Sequence, residues 1–475
     1  MHNANLLVAF FAVLTVTIGL PLARADGEPA FEAALNQHFY YGPPKPEPEV
    51  VSDPKYGQQL DANYFQRFIE LDRSYSPKSR DAAQRMASSL VRDAQSLTHE
   101  QFVLRVAEIA AQADNAHTAV QTNAFKKNTK RVPLRTYLFA DGLHVLYAAS
   151  AHRTLLGARI DRINGRTVAD IFNKLQRYRG GLPHYRRLHL LPVLESPALF
   201  EAAGLAGSSN GLTLAGVLAS GISFSTFITA EERDRSAWVS TTSRLLFPDQ
   251  FKDHGMISYL KTSGTKSPFF HAAHDLFWSE RIETGYYIHL AHNDDADESP
   301  IGVFLDKISS EIKAIQPRFV ILDMRLNEGG DYTKTYAFAR ALPQIASGAT
   351  IYVFTSGWTF SAAITTVAAL KEAGKGQVKI VGDPVGDRLD FWAEGGAFNL
   401  PNSFVRVSYA TGRHVYTGPC RDRETCYWLN ERFPVRVSSI APEIAAPFTF
   451  AAFRNGRDPA IDAVLKRESR LTNTR

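Results

Sequence analysis

From about Gly285 onward, short apolar runs alternate with amphipathic stretches. Tyr286 to Ala291, Arg318 to Met324 and Thr350 to Thr355 read as strands, and their apolar residues are nearly continuous, as in strands buried on both faces. The segments across Ile301 to Ala314, after Asp331 and after Ser361 carry helical spacing instead. Strands and helices in alternation require crossovers and predict a parallel βα sheet. Sites in such sheets form beyond the carboxyl ends of the strands. Gly329-Gly330 and Ser361 both fall just past predicted strand ends, so they are expected to face one crevice.

Upstream the pattern changes. Between about Tyr56 and Ala113 it is helical: Thr98-His99-Glu100-Gln101 has the form of a capping box, and Phe102, Val106 and Ile109 then recur on one face. Between about Val132 and Ala230 strands dominate, with Gly142 to Tyr147, Leu155 to Gly165, a hairpin turn at Asn164-Gly165 and a helix over Val168 to Leu175. That order resembles a PDZ domain, a module that captures peptide carboxyl termini by strand addition, although Leu182 to Ser209 is a longer stretch than such a module needs. An unspecialised α/β insertion is the alternative. Pro43 to Pro48 cannot hold a helix and reads as part of an extended leader. The predicted class is a mixed, multidomain α/β protein: a signal peptide over 1–25, an extended leader over 26–55, a helical region over 56–125, a PDZ-like region over 126–235 and a βα domain over 236–475.

The signal peptide rests on an apolar run from Leu6 to Leu22 that ends in Ala23-Arg24-Ala25, a small-residue cleavage pattern that would leave Asp26 as the new N-terminus. No Lys or Arg precedes the run, and an uncleaved anchor is the alternative, but the run is shorter than the about 20 residues a span needs. No later segment is long and apolar enough to span a membrane. Export to the periplasm or the extracellular space is therefore expected. The two cysteines, Cys420 and Cys426, sit close together in a polar loop and are expected to form a short-loop disulfide. A zinc site is the rival, and two thiols without a nearby His pair make a poor shell for it.

Composition narrows the partners. The 475 residues are 45% hydrophobic and 21% charged, ordinary globular usage. The net charge is +5, but acidic and basic residues are interspersed and no Lys/Arg run is long enough to track a phosphate backbone, which argues against nucleic acid. His271 and His274 with Asp275, and His289 and His292 with Asp294 and Asp295, are metal-ligand types without zincin spacing, so no metal is expected. No Gly-rich phosphate loop follows a strand, and no nucleotide or other cofactor is implied.

Three segments carry candidate chemistry: Asp114-Asn115-Ala116-His117-Thr118, Asp323-Met324-Arg325-Leu326-Asn327-Glu328-Gly329-Gly330, and Thr359-Phe360-Ser361-Ala362-Ala363. A serine hydroxyl needs a neighbouring base to become a nucleophile, and a helix beginning just after Ser361 would put positive dipole where negative charge develops. With Val381-Gly382-Asp383-Pro384, Ala441-Pro442-Glu443-Ile444 and the closing Asn455 to Asp462, these segments resemble the tail-specific, carboxyl-terminal processing serine peptidases, and in particular their tricorn-core-like branch, from roughly Tyr56 to the C-terminus.

The resemblance implies a ClpP/crotonase-like core in the catalytic domain, Ser361 as nucleophile, His117 as general base, and the backbone N–H groups of Ala362 and of Gly329 or Gly330 as the oxyanion hole. It also implies peptide or unfolded-protein substrates. The Ser-Lys variant of the family would place its lysine near Gly386-Asp387-Arg388, where Asp387 and Arg388 stand instead; arginine stays protonated and cannot serve as base. The Ser-His variant then requires a carboxylate to orient His117: Glu431 is the candidate, with Asp114 and Asp387 as rivals. Ile364 stands where many relatives carry Glu. A non-catalytic binding protein on the same fold is the competing reading.

Overall fold

The computed structural model describes residues 28–126, 129–205, 207–232, 245–247, 255–260, 267–270, 276–296 and 299–473. The expected signal peptide, 1–25, lies outside the described residues. The chain divides into two units, 1–38 and 39–475. Helix α1 (Glu28–Phe39), all but its last residue within the first, occupies part of what the sequence suggested was an extended leader. Pro29 suits a helix's first turn, where no amide bond is lost, and the Glu-Ala-Ala-Leu that follows is a strong helix former. The Pro-rich logic holds only for 40–53, which carries neither helix nor strand.

The second unit opens with helices α2 (Pro54–Phe65), α3 (Phe68–Leu71), α4 (Pro77–Asp93) and α5 (His99–Ala111). The capping box at α5 is present: the Gln101 amide donates to Thr98 Oγ1 at 3.2 Å, and the Thr98 amide donates to Gln101 Oε1 at 2.9 Å. The two-residue strand β1 (Ala119–Val120) follows. An antiparallel sheet comes next, built from β2 (Leu134–Phe139), β3 (Gly142–Ala149), β4 (Arg159–Ile163), β5 (Arg166–Thr167), β6 (Gly211–Val217), β7 (Ser223–Thr229) and β8 (Met256–Ser258), in the order β2-β3-β4-β6-β7, with β5 on β4 and β8 on β3. Asn164 and Gly165, at φ 48° and 77°, close the β4–β5 hairpin as a two-residue turn with both central residues left-handed. Helices α6 (Val168–Leu175), α7 (Pro183–Leu190) and α8 (Pro197–Ala202) fill the span before β6.

The βα region carries β9 (Phe277–Ile282), β10 (Gly285–Leu290), α9 (Ile301–Ile315), β11 (Phe319–Asp323), α10 (Thr333–Ile345), β12 (Thr350–Thr355), α11 (Ala362–Gly374) and β13 (Val378–Gly382). Then come β14 (Asp390–Ala393), β15 (Gly396–Leu400), β16 (Val405–Tyr409), β17 (Gly412–Val415), α12 (Leu429–Arg432), β18 (Ile444–Ala445), α13 (Phe450–Arg454) and α14 (Pro459–Asn473). The main sheet runs β18-β13-β12-β11-β10-β9, parallel from β10 to β18, with β9 antiparallel at the edge. Its inner strands, β10 to β13, are buried on both faces, which explains their nearly unbroken apolar runs. Ile288, Leu322 and Val353 pack with Leu305, Leu342 and Val367 of α9 to α11, while Tyr287, Ile321, Tyr352 and Phe354 pack with Ala460, Ile461 and Val464 of α14.

One cluster joins segments far apart in the chain. Phe398, Leu400, Val405 and Val407 of β15 and β16 share a cluster with Phe65, Phe68, Phe102 and Val106 of the helices, and β1 pairs antiparallel with β16. Polar ties reinforce it: the Ser403 amide and hydroxyl both donate to buried Asp61 at 2.7 Å. Arg325 is buried between two carboxylates, reaching Asp323 Oδ1 through Nε at 2.9 Å and the two oxygens of Asp458 at 2.9 and 2.7 Å. The clamp joins the loop after β11 to the start of α14. Arg325→Met would leave two buried carboxylates without their cation and is expected to cost about 3–5 kcal/mol, read as a shift in the denaturation midpoint at constant slope.

Candidate active site

His117 sits on a turn that is fixed from several sides. Asp114 takes a left-handed φ of 48°, tolerable for an aspartate, and its carboxylate pairs outward with Arg186 and, at 2.9 Å, with Arg388. Thr118 Oγ1 donates to buried Asp72 at 2.6 Å, and Asp72 also takes the Ala410 amide at 2.9 Å. Behind the turn, Gly180 approaches so closely that a Cβ there would lie 2.5 Å from Asn115 O. The imidazole stacks between Phe360 and Phe391, with centroids 4.3 and 5.6 Å away. Tyr185 extends the stack beyond Phe360 at 4.7 Å, and His414 beyond Phe391 at 4.8 Å.

Ser361 is the residue after Phe360 and opens α11 with φ 53° and ψ −125°. A non-glycine residue there stores about 1–3 kcal/mol of strain, which surrounding bonds must hold. They are present. Thr359 Oγ1 donates to Met324 O at 2.8 Å and accepts the Ser356 amide at 3.0 Å; the Phe360 amide donates to Asn327 O at 3.0 Å; and Asn327 Nδ2 donates to Leu290 O at 3.0 Å. Gly329, at φ 115°, passes so near that a Cβ on it would lie 2.8 Å from Ser361 Cβ. Its N–H is committed to Asn327 Oδ1 at 3.0 Å. The N–H groups of Gly330 and Ala362 have no acceptor among the described residues, the latter because the first amides of a helix lack intrahelical partners. Of the anticipated oxyanion donors these two are available, while Gly329 contributes space.

Neither ring nitrogen of His117 makes a sound hydrogen bond in this structure, to Ser361 or to any other described group; the Trp392 carbonyl is near but poorly placed. Asp387 Oδ2 lies 3.8 Å from His117 Nδ1 and is also without a partner, while its Oδ1 accepts the Arg388 amide at 2.8 Å. His117 is 16% exposed through its carbon edge, its nitrogens being covered. Burial, with His414 and Arg179 adding to it, lowers the imidazole to about 3. Burial pushes Asp387 up to about 7 against the pull of the Arg388 amide and charge. Asp387 is thus poised to change charge near neutrality, beside an imidazole that stays neutral.

Glu431, the anticipated orienting carboxylate, is exposed on the short α12, with its amide bonded to Trp428 O. Asp387 is the carboxylate the structure sets beside His117, and Asp114 points to its arginine partners. Spacing along the chain could not separate them, because the loop 383–389 returns to the His117 turn by a long-range path. Ile364 is fully buried in the core against the sheet. Cys420 and Cys426 are joined as a disulfide. Of the metal-ligand types, Asp294 and Asp295 both pair with Lys334, and His271, His274 and Asp275 lie outside the described residues.

Beside the stack lies a cavity of ≈ 470 Å³, lined among others by Tyr40, His117, Arg179, Tyr185, Phe360 and Glu394; Ser361 itself is not in the lining. His414 Nε2 meets Glu394 Oε1 at 2.8 Å, and Tyr40 also bonds Glu394. Sequence reading missed Arg179, Tyr185, Phe391, His414 and Glu394. Its one available signal was the surplus length from Leu182 to Ser209, which carries Tyr185 into the site on α7.

No family model and no curated protein matches this sequence. Solved structures do match its fold. Mature CPAF complexed with lactacystin has a TM-score of 0.54 at 13% identity, over 89% of this chain and 100% of that one. A CPAF mutant with serine replaced by alanine gives 0.53 at 13% identity, and mature CPAF 0.50 at 12%, each over 85% of this chain and 95% of the other. The chain has the CPAF fold. The resemblance drawn from the motifs is thus met at the level of architecture: a mixed α/β, multidomain chain.

The strain at Ser361 has a measurable consequence within this CPAF-like scaffold. Ser361→Gly relieves a left-handed φ and is expected to raise stability by about 1 kcal/mol, after the extra unfolded-state entropy of glycine is subtracted. Thermal or denaturant unfolding of the two proteins checks it; a less stable glycine variant would show that Ser361 is not strained.

Proposed function

We propose that the chain is an exported serine endopeptidase that cleaves peptides or unfolded proteins through an acyl-enzyme. The observation that carries this reading is the strained Ser361 at a helix start, flanked by the open amides of Ala362 and Gly330, with His117 stacked on its neighbour Phe360. The shared fold supports it, since mature CPAF, solved in complex with lactacystin, and a form of it with serine replaced by alanine have this fold. Export is supported by the apolar N-terminal run and the Cys420–Cys426 disulfide, and no helix among the described residues is long and apolar enough to cross a membrane.

In this mechanism Ser361 Oγ attacks the peptide carbonyl while His117 takes its proton, and the developing oxyanion is held by the amides of Ala362 and Gly330. The protonated His117 gives the proton to the leaving amine; water then repeats the sequence and frees the acid. Ionised Asp387 stabilises the imidazolium across the short gap from Nδ1. The Ser361–His117 hydrogen bond closes when substrate is bound, as such bonds often do. The PDZ-like sheet is proposed to select substrates by their carboxyl ends. A second reading, a ligand-binding protein on the same fold, is favoured by the missing Ser361–His117 bond and the adjoining cavity.

The deciding experiment incubates the protein and its Ser361→Ala variant with unstructured peptides of varied carboxyl termini and reads products by mass spectrometry. The native protein is expected to cleave, and the variant to lose about 10⁴-fold or more; a folded native protein without activity would favour the binding reading. The pH profile is a separate check. Asp387 must lose its proton to support His117, so kcat/KM is expected to be low in acid and to rise through an apparent pKa of about 7. Asp387→Asn should abolish that rise and lower the plateau by about 10²- to 10⁴-fold.

A further inference from the structure

Arg179 is the one strongly basic side chain in the cavity lining, and it is 8% exposed. Every acceptor it has is neutral: Val120 O takes Nη1 at 3.2 Å, while Ala116 O and the Tyr185 hydroxyl take Nη2 at 3.2 Å each. Its Nε has no partner, and no carboxylate among the described residues forms an ion pair with it. Its guanidinium lies 5.4 Å from the Tyr185 ring centroid, at the end of the aromatic stack. The cavity's acid, Glu394, is already engaged by His414. Buried guanidinium groups are ordinarily paired, because a desolvated cation without an anion is costly. The other buried arginines follow that rule: Arg131 and Arg135 with Glu195, and Arg325 with Asp323 and Asp458.

We propose that Arg179 receives a carboxylate of the bound peptide, so that the cavity beside His117 is an acid-selective subsite. The inference rests on the peptidase reading and adds a substrate class to it: peptides that carry a carboxylate close to the scissile bond, either an Asp or Glu side chain or the free chain terminus. A guanidinium suits this role better than an ammonium, since its planar donors match a carboxylate and it stays charged at any working pH. Bonded to Ala116 O, one residue from His117, Arg179 also couples the occupant of the cavity to the backbone that carries the base.

The test uses a fluorescein-labelled peptide in three forms: neutral and amidated, neutral with a free terminus, and amidated with a single Glu scanned through the interior. Binding to the full chain carrying Ser361→Ala is read by anisotropy. One carboxylate form is expected to bind about 10- to 100-fold tighter than the neutral amide, and which form does so tells side chain from terminus. Adding Arg179→Gln should bring that ratio to about 1, and Arg179→Lys should keep part of it. Because the readout is a ratio, a general loss of affinity does not imitate it. Equal binding of all forms, or a preference that survives Arg179→Gln, overturns the inference; should the glutamine variant fail to fold, an undiminished ratio in Arg179→Lys overturns the fork geometry. Hydrolysis of all forms at equal rates by the native chain would leave the peptidase reading standing without this subsite. Arg179-dependent binding without hydrolysis would do the reverse.

Discussion

The site depends on one set of hydrogen bonds, those that stitch the loop after β11 to the loop after β12. Neighbouring parallel strands deliver their carboxyl ends side by side, but nothing in a sheet dictates where the following loops go. Here Thr359, Ser356 and Asn327 bond the two loops together before either reaches its helix. Ser361 is then forced into its left-handed turn, and Gly329 can pass beneath it only because it has no Cβ. The Arg325 clamp fastens the same loop to α14, so stress at Ser361 is spread into the core rather than released by loop motion. Strain of about 1–3 kcal/mol survives only where the surroundings over-determine it.

The imidazole is positioned by a different kind of force. Stacking on Phe360 and Phe391 fixes the plane of His117 and covers its nitrogens, but rings slide on one another at little cost, so stacking alone does not set a hydrogen-bond distance. The same covering drives the electrostatics. It disfavours charge on both His117 and Asp387, lowering the one and raising the other, so His117 rests neutral and Asp387 takes up its charge only near neutrality. A site arranged in this way holds its polarity in reserve, at the price of buried groups that are unsatisfied until a substrate arrives.

Local patterns were readable to the extent that their cause is local. The buried strands of the main sheet, the Thr98 capping box and the Asn164-Gly165 turn each follow from a few neighbouring residues, and each is found where its pattern pointed. Ser361 and Gly329-Gly330 were legible as strand-end residues for the same reason. What escaped depends on contacts far apart in sequence: β16 pairing with β1, Asp61 and Asp72 reaching residues more than 300 positions away, and Asp387 rather than Glu431 arriving at His117. Helix α1 is a different case: the prolines at 43–48 bar a helix only where they stand, and the residues that precede them are free to form one.

The position of Asp387 beside His117 follows from the packing of α11. Ile364 stands one turn into that helix, where relatives in the resembled family often carry a glutamate, and here the face it occupies is sealed against Ile351, Val353 and Ile380 of the sheet. A carboxylate there would be buried without a cation or donors and would cost several kcal/mol. The helix can therefore supply backbone amides to the crevice but no charge. A loop is the remaining source, and the loop 383–389 has what the helix lacks: the Arg388 amide as a donor, and a connection to the His117 turn through the Arg388–Asp114 pair. Asp387 can sit beside His117 because Arg388 ties its loop to the turn that carries His117.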